Sequence, residues 1–342
     1  MLRIFHNTTY GFVRWWRYAA VLTLAFISIG VVDFAISGGV NYSIEFTGGT
    51  LMQVQFKTPP DVAVLRKTLD DAGISGAEIQ QFGAATDYTI RAREKGQVEA
   101  QDAGAEGISK TISTTLENQF GAGQVTIIRT EAVGPKVGSE LRNGAAMAML
   151  IASLFTLMYL GMRFDWRFGL AAVLSTTHDI IITLVYIKVA HLEVSLTVVA
   201  AILTLVGYSA NDTIIIFDRV RENLRKPHKG ESLPQILDRS INETLPRSIM
   251  THASTLVAIL ALLILAGEVI RPFAWVMTFG VFVATFSSIY VAGPLLLYIE
   301  HRWPRTDDAA TSRAVRAAKE VGTSVNTGSG PSRRVADKVP AR

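Results

Sequence analysis

The chain has 342 residues, of which 49% are hydrophobic and 18% are charged, and its mean hydropathy is +0.30. This composition is too apolar for a typical soluble protein and predicts several membrane spans together with an extramembrane domain. The sequence has no cysteine, which excludes disulfides, thiol catalysis and cysteine-ligated zinc. The formal net charge is only +4, and no basic stripe interleaved with aromatic residues indicates nucleic-acid binding.

The N-terminal segment predicts an interfacial anchor followed by a first span. Residues 1–17 carry three arginines and several aromatic side chains, a composition typical of the cytoplasmic membrane interface. The apolar run at 18–37 is longer than the hydrophobic region of a signal peptide, and no small-x-small cleavage site follows it. We therefore expect an uncleaved span, with a cleaved signal peptide as the alternative.

Residues 38–138 predict one extramembrane domain, because glycines, charges and alternating apolar residues replace the long apolar runs. In chain order the predicted elements are extended chain around a Gly48-Gly49 turn at 41–56, a helix after Pro60, strands at 77–82 and 87–93, a helix at 103–120 and a strand at 124–133. This β-α-β-β-α-β order is the ferredoxin-like pattern. No residues of this domain are spaced as in a catalytic site. This favours a role in contacting or coupling other parts of the protein or its partners, and the alternative is a structural spacer.

Five further apolar runs predict membrane spans. They cover 143–160, 168–189, 195–217, 247–265 and 273–298. The charged segment 218–246 predicts a loop that contains an amphipathic helix on the membrane surface. Residues 303–342 are rich in small and basic residues without periodicity and predict a disordered tail.

The distribution of arginine predicts the orientation of the six spans. The arginine-rich segments are 1–17, 163–167, 218–247 and 299–342. Cytoplasmic loops carry the excess of basic residues, so both termini are expected in the cytoplasm. The 38–138 domain is then expected on the opposite side of the membrane.

An acidic residue, Asp212, stands inside the fourth predicted span beside Asn211. A charged side chain at the bilayer centre costs about 2.5–3.5 kcal/mol on insertion scales, so such a group usually marks a pathway or a relay. On the fifth span, Arg247 and Thr251 share one helical face and lie at a depth similar to that of Asp212. We expect the two charges to meet if the spans are neighbours. The alternative is a structural ion pair without a transport role.

Three more titratable groups stand within predicted spans. His178 and Asp179 lie near the middle of the third span, and His252 follows the predicted face of the fifth. A lone histidine equally often hydrogen-bonds its neighbours, so these three residues and Asn211 are candidate secondary polar sites. Two histidines on different helices do not indicate zinc, which needs more ligands. The sequence therefore predicts neither a metal nor a cofactor.

Six motifs in chain order resemble the SecF family, the smaller subunits of the SecDF protein-export membrane complex. The motifs are IEFTGGT at 44–50, VGP at 133–135, HDIIIT at 178–183, GYSANDTIIIFDRVREN at 207–223, SINETLPRSIMT at 240–251 and SSIYVAGP at 287–294. The resemblance covers nearly the whole chain apart from the tail. Two positions depart from the pattern, since Glu45 stands where Asp is common and His252 stands where a small hydroxyl residue is usual.

The resemblance implies a relative of the RND transporters in the bacterial inner membrane, with six spans and a periplasmic ferredoxin-like domain. It implies SecD as the partner that supplies the other half, docking at the SecYEG translocon, and an unfolded polypeptide as the substrate. In the family, the acid of GYS-x-x-D and the arginine and threonine of R-x-x-x-T take part in proton conduction. These positions fall on Asp212, Arg247 and Thr251. Protonation of Asp212 is then expected to weaken its attraction to Arg247 and shift the helix packing.

Two other functions remain open from the sequence. A small-molecule or lipid transporter of the same superfamily would normally carry larger extramembrane domains in a longer chain. A structural scaffold of the translocon would need the spans but not the proton relay. An enzyme is the least expected class, because no nucleophile–base pair or phosphate-binding glycine loop is present.

Overall fold

The computed structural model describes residues 8–74, 76–92, 103–226, 231–267 and 269–304. The first seven residues of the predicted anchor and residues 305–342 of the predicted tail lie outside these ranges. A 3₁₀ turn at Val13–Trp15 precedes the first long helix.

The described residues form long helices and one four-stranded sheet. The helices are α1 (Trp16–Ser37), α2 (Ile44–Thr47), α3 (Val62–Asp71), α4 (Ala103–Phe120), α5 (Pro135–Arg163), α6 (Trp166–Val189), α7 (Leu196–Arg225), α8 (Leu233–Leu265), α9 (Arg271–Tyr290) and α10 (Ala292–Arg302). The strands are β1 (Gly49–Phe56), β2 (Glu78–Gln81), β3 (Asp87–Ala92) and β4 (Val125–Val133).

Six helical segments of the described chain are long and apolar enough to cross a membrane. They are α1 with the turn before it, α5, α6, α7, α8 and the pair α9–α10. Helices α1, α5 and α8 leave most of their surface exposed, whereas α6, α7 and α9–α10 form the interior of the bundle. The predicted fold class, a polytopic helical membrane protein with one α+β domain, is confirmed.

The interior of the bundle is close-packed. Phe168 and Phe217 are fully buried, and their rings meet edge to face. At Gly280 on α9, a Cβ atom would lie 2.7 Å from the side chain of Leu205 on α7. A larger residue at this position would have to displace the Leu205 side chain, so glycine permits the close approach of these two helices.

The α+β domain has the sheet order β2-β3-β1-β4, and every neighbouring pair is antiparallel. This is the arrangement expected of the β-α-β-β-α-β pattern. Its core joins both layers, because Met52 and Ile90 of the sheet pack in one cluster with Leu65 of α3 and Leu116 of α4. The ferredoxin-like prediction is confirmed.

The start of this domain differs from the sequence prediction. Ile44–Thr47 forms one helical turn rather than extended chain. Gly48 and Gly49 follow with φ angles of 73° and 126°, which L side chains rarely adopt. Helix α5 lies against this turn, and a Cβ atom on Gly138 would stand 2.9 Å from the backbone nitrogen of Gly48. The glycines therefore permit both the backbone turn and a close helix contact.

The helix predicted within 218–246 is present, but it is continuous with the fifth span, and residues 218–225, expected in the loop, belong to α7. Helix α7 continues to Arg225, and α8 begins at Leu233 and runs through Pro246. The polar residues of the two helices satisfy each other, since Arg219 Nε donates to Glu243 at 2.5 Å and Asn223 donates to Ser240 at 3.0 Å. Charge in the sequence thus marks an extension of the helix pair beyond the apolar span.

The sixth predicted span is interrupted, because α9 ends at Tyr290 and α10 begins at Ala292. Pro294 has no N–H to donate to the carbonyl of Tyr290, four residues earlier. The apolar run alone does not reveal this break.

The domain is attached to the bundle through the turn between α6 and α7. Ser43 N–H donates to the Val194 carbonyl at 2.9 Å, and Val194 N–H donates to Asn41 at 2.7 Å. Glu45 accepts a hydrogen bond of 2.6 Å from the N–H of Leu196, the first residue of α7. The start of α7 is therefore held directly by the base of the domain.

A buried arginine adds a second link at this junction. Arg91 of β3 forms ion pairs with Glu193, in the turn before α7, and with Glu78. Burial acts to lower the pKa of Arg91, but hydrogen bonds and charge from Glu193 and Glu78 outweigh it and leave the pKa raised. The guanidinium therefore stays charged, and it joins the sheet to the bundle.

Candidate functional site

Asp212 lies in the interior of the bundle, with only 5% of its surface exposed. Ser248 Oγ on α8 donates a hydrogen bond of 2.7 Å to Asp212 Oδ1. The second oxygen, Oδ2, is buried and has no hydrogen-bond partner among the described residues. A buried charge without enough donors is costly, and a proton on the carboxylate removes that cost. The site is therefore chemically suited to bind a proton.

Helices α7 and α8 pair as antiparallel neighbours around Asp212. One turn along both helices, the rings of Tyr208 and His252 lie 5.4 Å apart at 69°. In the other direction along α7, Asn223 contacts Ser240. The i, i+4 spacing of each helix thus aligns Asp212 on α7 opposite a row of polar residues on α8.

Arg247 does not pair with Asp212 within the described chain. Arg247 and Thr251 are exposed on α8, whereas Ser248 is buried against α7. Consecutive residues of a helix point about 100° apart, so the rotation that brings Ser248 to Asp212 turns Arg247 outward. The expected contact is wrong for this chain by itself. Arg247 and Thr251 remain together, since Thr251 Oγ1 donates to the Arg247 carbonyl at 2.9 Å.

Asn211 is exposed, although it precedes the buried Asp212. Its side chain lies on the outer surface of α7. The structure therefore separates Asn211 from the buried carboxylate that the sequence placed beside it.

A second buried carboxylate, Asp179 on α6, is fully hydrogen-bonded. Ser209 of α7 and Ser287 of α9 donate to its Oδ2 at 2.5 Å and 2.6 Å, and Oδ1 lies 2.9 Å from Nδ1 of His178. The other ring nitrogen of His178 lies 3.4 Å from Thr23 Oγ1 on α1. Asp179 therefore joins three helices of the interior, and His178 extends this network to a fourth.

The two serines that hold Asp179 were not predicted as site residues. Both stand within motifs of the sequence, in GYS at 207–209 and SSIY at 287–290. The sequence feature that could have identified these serines is a hydroxyl group beside small residues in an apolar helix. The same pattern equally indicates helix packing. Spacing along one helix does not reveal that three helices converge on one carboxylate.

Further polar atoms without partners surround this region. Within the described ranges, the hydroxyls of Ser175 and Thr176 on α6 and of Thr213 on α7 are buried without hydrogen bonds, and so is Nδ1 of His252. Groups of this kind are the usual ligands of buried water. No cluster of three or more histidine, aspartate or glutamate side chains in the described part of the chain could hold a metal ion.

Known proteins share this architecture over most of the chain. Residues 110–302 match the family described as protein export membrane protein SecD/SecF, C-terminal, and residues 35–60 match the SecD/SecF GG motif. The protein translocase subunit SecF of Gemmatimonas aurantiaca is 77% identical over 342 residues, which is all of both chains. SecF of Vibrio alginolyticus is 40% identical over 86% of this chain and 93% of its own.

The solved structures give the same result. The crystal structure of SecDF from Thermus thermophilus is 35% identical, with a TM-score of 0.74 over 86% of this chain. A SecDF crystal structure in a super-membrane-facing form has a TM-score of 0.61 and 34% identity over 92% of this chain. The chain spans only 39% and 40% of those two SecDF chains. From sequence and fold together, the chain belongs to the SecF family of protein translocase subunits.

Proposed function

We propose that the chain works with SecD in the bacterial inner membrane and uses the proton-motive force to drive late steps of protein translocation through the Sec translocon. The observation that carries this proposal is the carboxylate of Asp212, buried in the bundle with one oxygen held by Ser248 and the other without a partner. An ionisable group in that position is the expected feature of a proton pathway.

Proton binding acts on the packing of α7 against α8. A proton on Asp212 Oδ2 removes a buried negative charge and weakens the hydrogen bond that its other oxygen accepts from Ser248. Moving one charge across the membrane potential is worth about 2.3 kcal/mol per 100 mV. That energy changes a two-state equilibrium by more than tenfold. A single protonation is therefore sufficient to bias the arrangement of the two helices.

Arg247 and Thr251 complete the relay at the surface that faces SecD. Both are exposed on α8, and an exposed arginine within a membrane span requires a polar partner or water. SecD, as the pseudo-symmetric other half, supplies that environment. Assembly with SecD, or a conformational change of the complex, then moves the guanidinium of Arg247 towards Asp212. In the chain alone the two groups do not pair.

The motion reaches the translocating polypeptide through the α+β domain. This domain lies in the periplasm, and both termini of the chain lie in the cytoplasm. Helix α7, which carries Asp212, begins at a backbone N–H that Glu45 binds, and Arg91 pairs with Glu193 just before it. A shift of α7 therefore displaces the base of the domain, which holds the emerging unfolded polypeptide.

The test uses inverted membrane vesicles that contain SecYEG, SecD and the full chain. Potential-driven completion of translocation is measured for wild type, Asp212→Asn and the exposed neighbour variant Asn211→Ala. We expect Asp212→Asn to fall to the level of vesicles without the chain, and Asn211→Ala to match wild type. Full activity of a normally inserted Asp212→Asn variant bound to SecD would overturn the proposal.

The same vesicles separate the other functions. Proton flux that lipid or a small molecule stimulates without any polypeptide would favour a transporter. Unchanged translocation after joint neutralisation of Asp212, Arg247 and Thr251 would favour a scaffold.

A further inference from the structure

We propose that His252 is a second proton-binding site in series with Asp212, placed one helical turn nearer the α+β domain. This inference rests on the proposed function of Asp212. It gives the chain a titratable intermediate between the domain side of the bundle and the central carboxylate.

The imidazole of His252 is buried but incompletely hydrogen-bonded. Only 6% of the residue is exposed, and its Nδ1 has no partner among the described residues. Buried polar atoms in native proteins are almost always paired, so an unpaired ring nitrogen in a membrane span requires a specific explanation. A histidine that only supports the fold would be expected to have its nitrogen bound by a neighbour.

The position of His252 follows from the pairing of α7 and α8. Ser248 contacts Asp212, and His252, four residues later, contacts Tyr208, four residues earlier on the antiparallel helix. The two contacts are about 6 Å apart along the helix axes. Helix α8 runs towards the end of the bundle where α7 begins and where the domain is attached. His252 therefore lies on the domain side of Asp212.

An axial separation of about 6 Å between the two contacts matches the reach of one bridging water molecule. A water hydrogen-bonded to His252 Nδ1 and Asp212 Oδ2 would pair both of the atoms that have no protein partner. In the transfer step, Nδ1–H of the imidazolium gives its proton to the water, and the water gives a proton to the carboxylate. The products are a neutral imidazole and a neutral carboxylic acid, so charge and protons balance.

The titratable groups around His252 favour a single shared proton. From α7, Tyr208 contacts the His252 ring and Asp212 lies one helical turn further along, and on its own helix the nearest charge is the exposed Arg247. The titratable residues of α9 stand at its two ends, Arg271 and Tyr290. The titratable residues of helix α10 lie beyond the end of the site that is opposite to the α+β domain. They are Tyr298, Glu300, His301 and Arg302.

The negative charge of Asp212 therefore favours the imidazolium, and neutralisation of Asp212 removes that support. An imidazole ring can both accept and donate a proton, so His252 is chemically able to pass a proton to Asp212.

The experiment measures proton flux of the full chain with SecD in liposomes, across a series of mildly acidic to mildly alkaline pH values. His252→Asn keeps a polar side chain of moderate size but cannot titrate. We expect its flux to fall by about tenfold or more and to lose the pH dependence that His252 gives to the wild-type flux. The control is His191→Asn, which changes an exposed histidine in the turn after α6, where Asn tolerates the positive φ of 52°.

Asp212→Asn distinguishes the two proposals in the same assay. If Asp212→Asn has no flux while His252→Asn keeps the wild-type rate and pH profile, the role of His252 is overturned and the proposed function stands. If Asp212→Asn conducts like wild type, both proposals fall.

A second measurement does not depend on the activity of a variant. Imidazole nitrogen resonances of the six histidines are titrated in the wild-type chain, and the signal of His252 is identified by its absence in His252→Asn. We expect this signal to change across the titration and the change to differ between the wild-type chain and Asp212→Asn. A signal that stays neutral throughout, or that ignores Asp212→Asn, would overturn the proposal.

Discussion

Ser248 donates a hydrogen bond of 2.7 Å to one oxygen of Asp212, while the other oxygen is buried without a partner in the described chain. The contact makes the two oxygens of one carboxylate unequal. One holds α7 to α8, and the other is available to a proton. A change of charge at Asp212 therefore acts directly on the contact between two helices.

Ser248→Ala is expected to destabilise the bundle, because both oxygens of a buried carboxylate then lack a protein donor. The loss is about 1–3 kcal/mol. Thermal unfolding of the purified full chain in detergent measures it. Ser254→Ala, on the exposed surface of the same helix, should leave the unfolding temperature within error of wild type. Equal stability of the two variants would contradict the assigned hydrogen bond.

Asp179→Ala is expected to cost more stability than Ser248→Ala, since it leaves Ser209 and Ser287 without their shared acceptor. We estimate a loss of about 2–4 kcal/mol, detected by the same unfolding measurement. Asp165→Ala is the matched control, because Asp165 is exposed at the start of the same helix and its side chain makes no capping hydrogen bond. A stable Asp179→Ala protein would show that the three-helix network is not structural.

Gly138→Ala is expected to disturb the junction between α5 and the domain. The added Cβ would lie 2.9 Å from a backbone nitrogen of Gly48, which cannot move aside as a side chain can. Gly144→Ala on the same helix meets nothing within 4 Å and should be neutral or slightly stabilising. Amide hydrogen exchange over 44–56 should increase in the first variant only. Equal exchange in both variants would exclude the close contact.

Glu193→Gln is expected to loosen the domain from the bundle by removing the ion pair with buried Arg91. Spin labels on the domain and on the α6–α7 turn should report a broader distance distribution. Glu78→Gln removes the other partner of Arg91, but Glu78 is more exposed and surface ion pairs contribute little, so its effect should be smaller. A larger effect of Glu78→Gln than of Glu193→Gln would contradict the assignment of Glu193 as the partner through which Arg91 joins the domain to the bundle.

Apolar length and alternation predict most of this fold. The six spans and the β-α-β-β-α-β domain follow from them, because both patterns are local. The charged segments that continue α7 and α8 are helical because of contacts between the two helices, and a local sequence pattern does not reveal such contacts. Arg219 and Glu243 satisfy each other across two helices, so residues 218–225 belong to a helix although their charge predicts a loop. The turn at Ile44–Thr47 depends in the same way on the packing of Gly138.

The candidate site was predictable in its residues but not in its contacts. Asp212 and Asp179 are conspicuous as acids in apolar segments, and the depth of α8 relative to Asp212 follows from helix length. Helix rotation does not follow from length. A difference of about 100° decides whether Arg247 or Ser248 faces the carboxylate, and packing of the whole bundle sets that angle.

The most direct test of the central claim is the infrared signal of a protonated carboxylic acid in the full chain with SecD, recorded as a pH difference spectrum. We predict a carboxylic acid band that is lost in Asp212→Asn and retained in Asp179→Asn. A band that persists unchanged in Asp212→Asn would show that Asp212 is not the group that binds the proton.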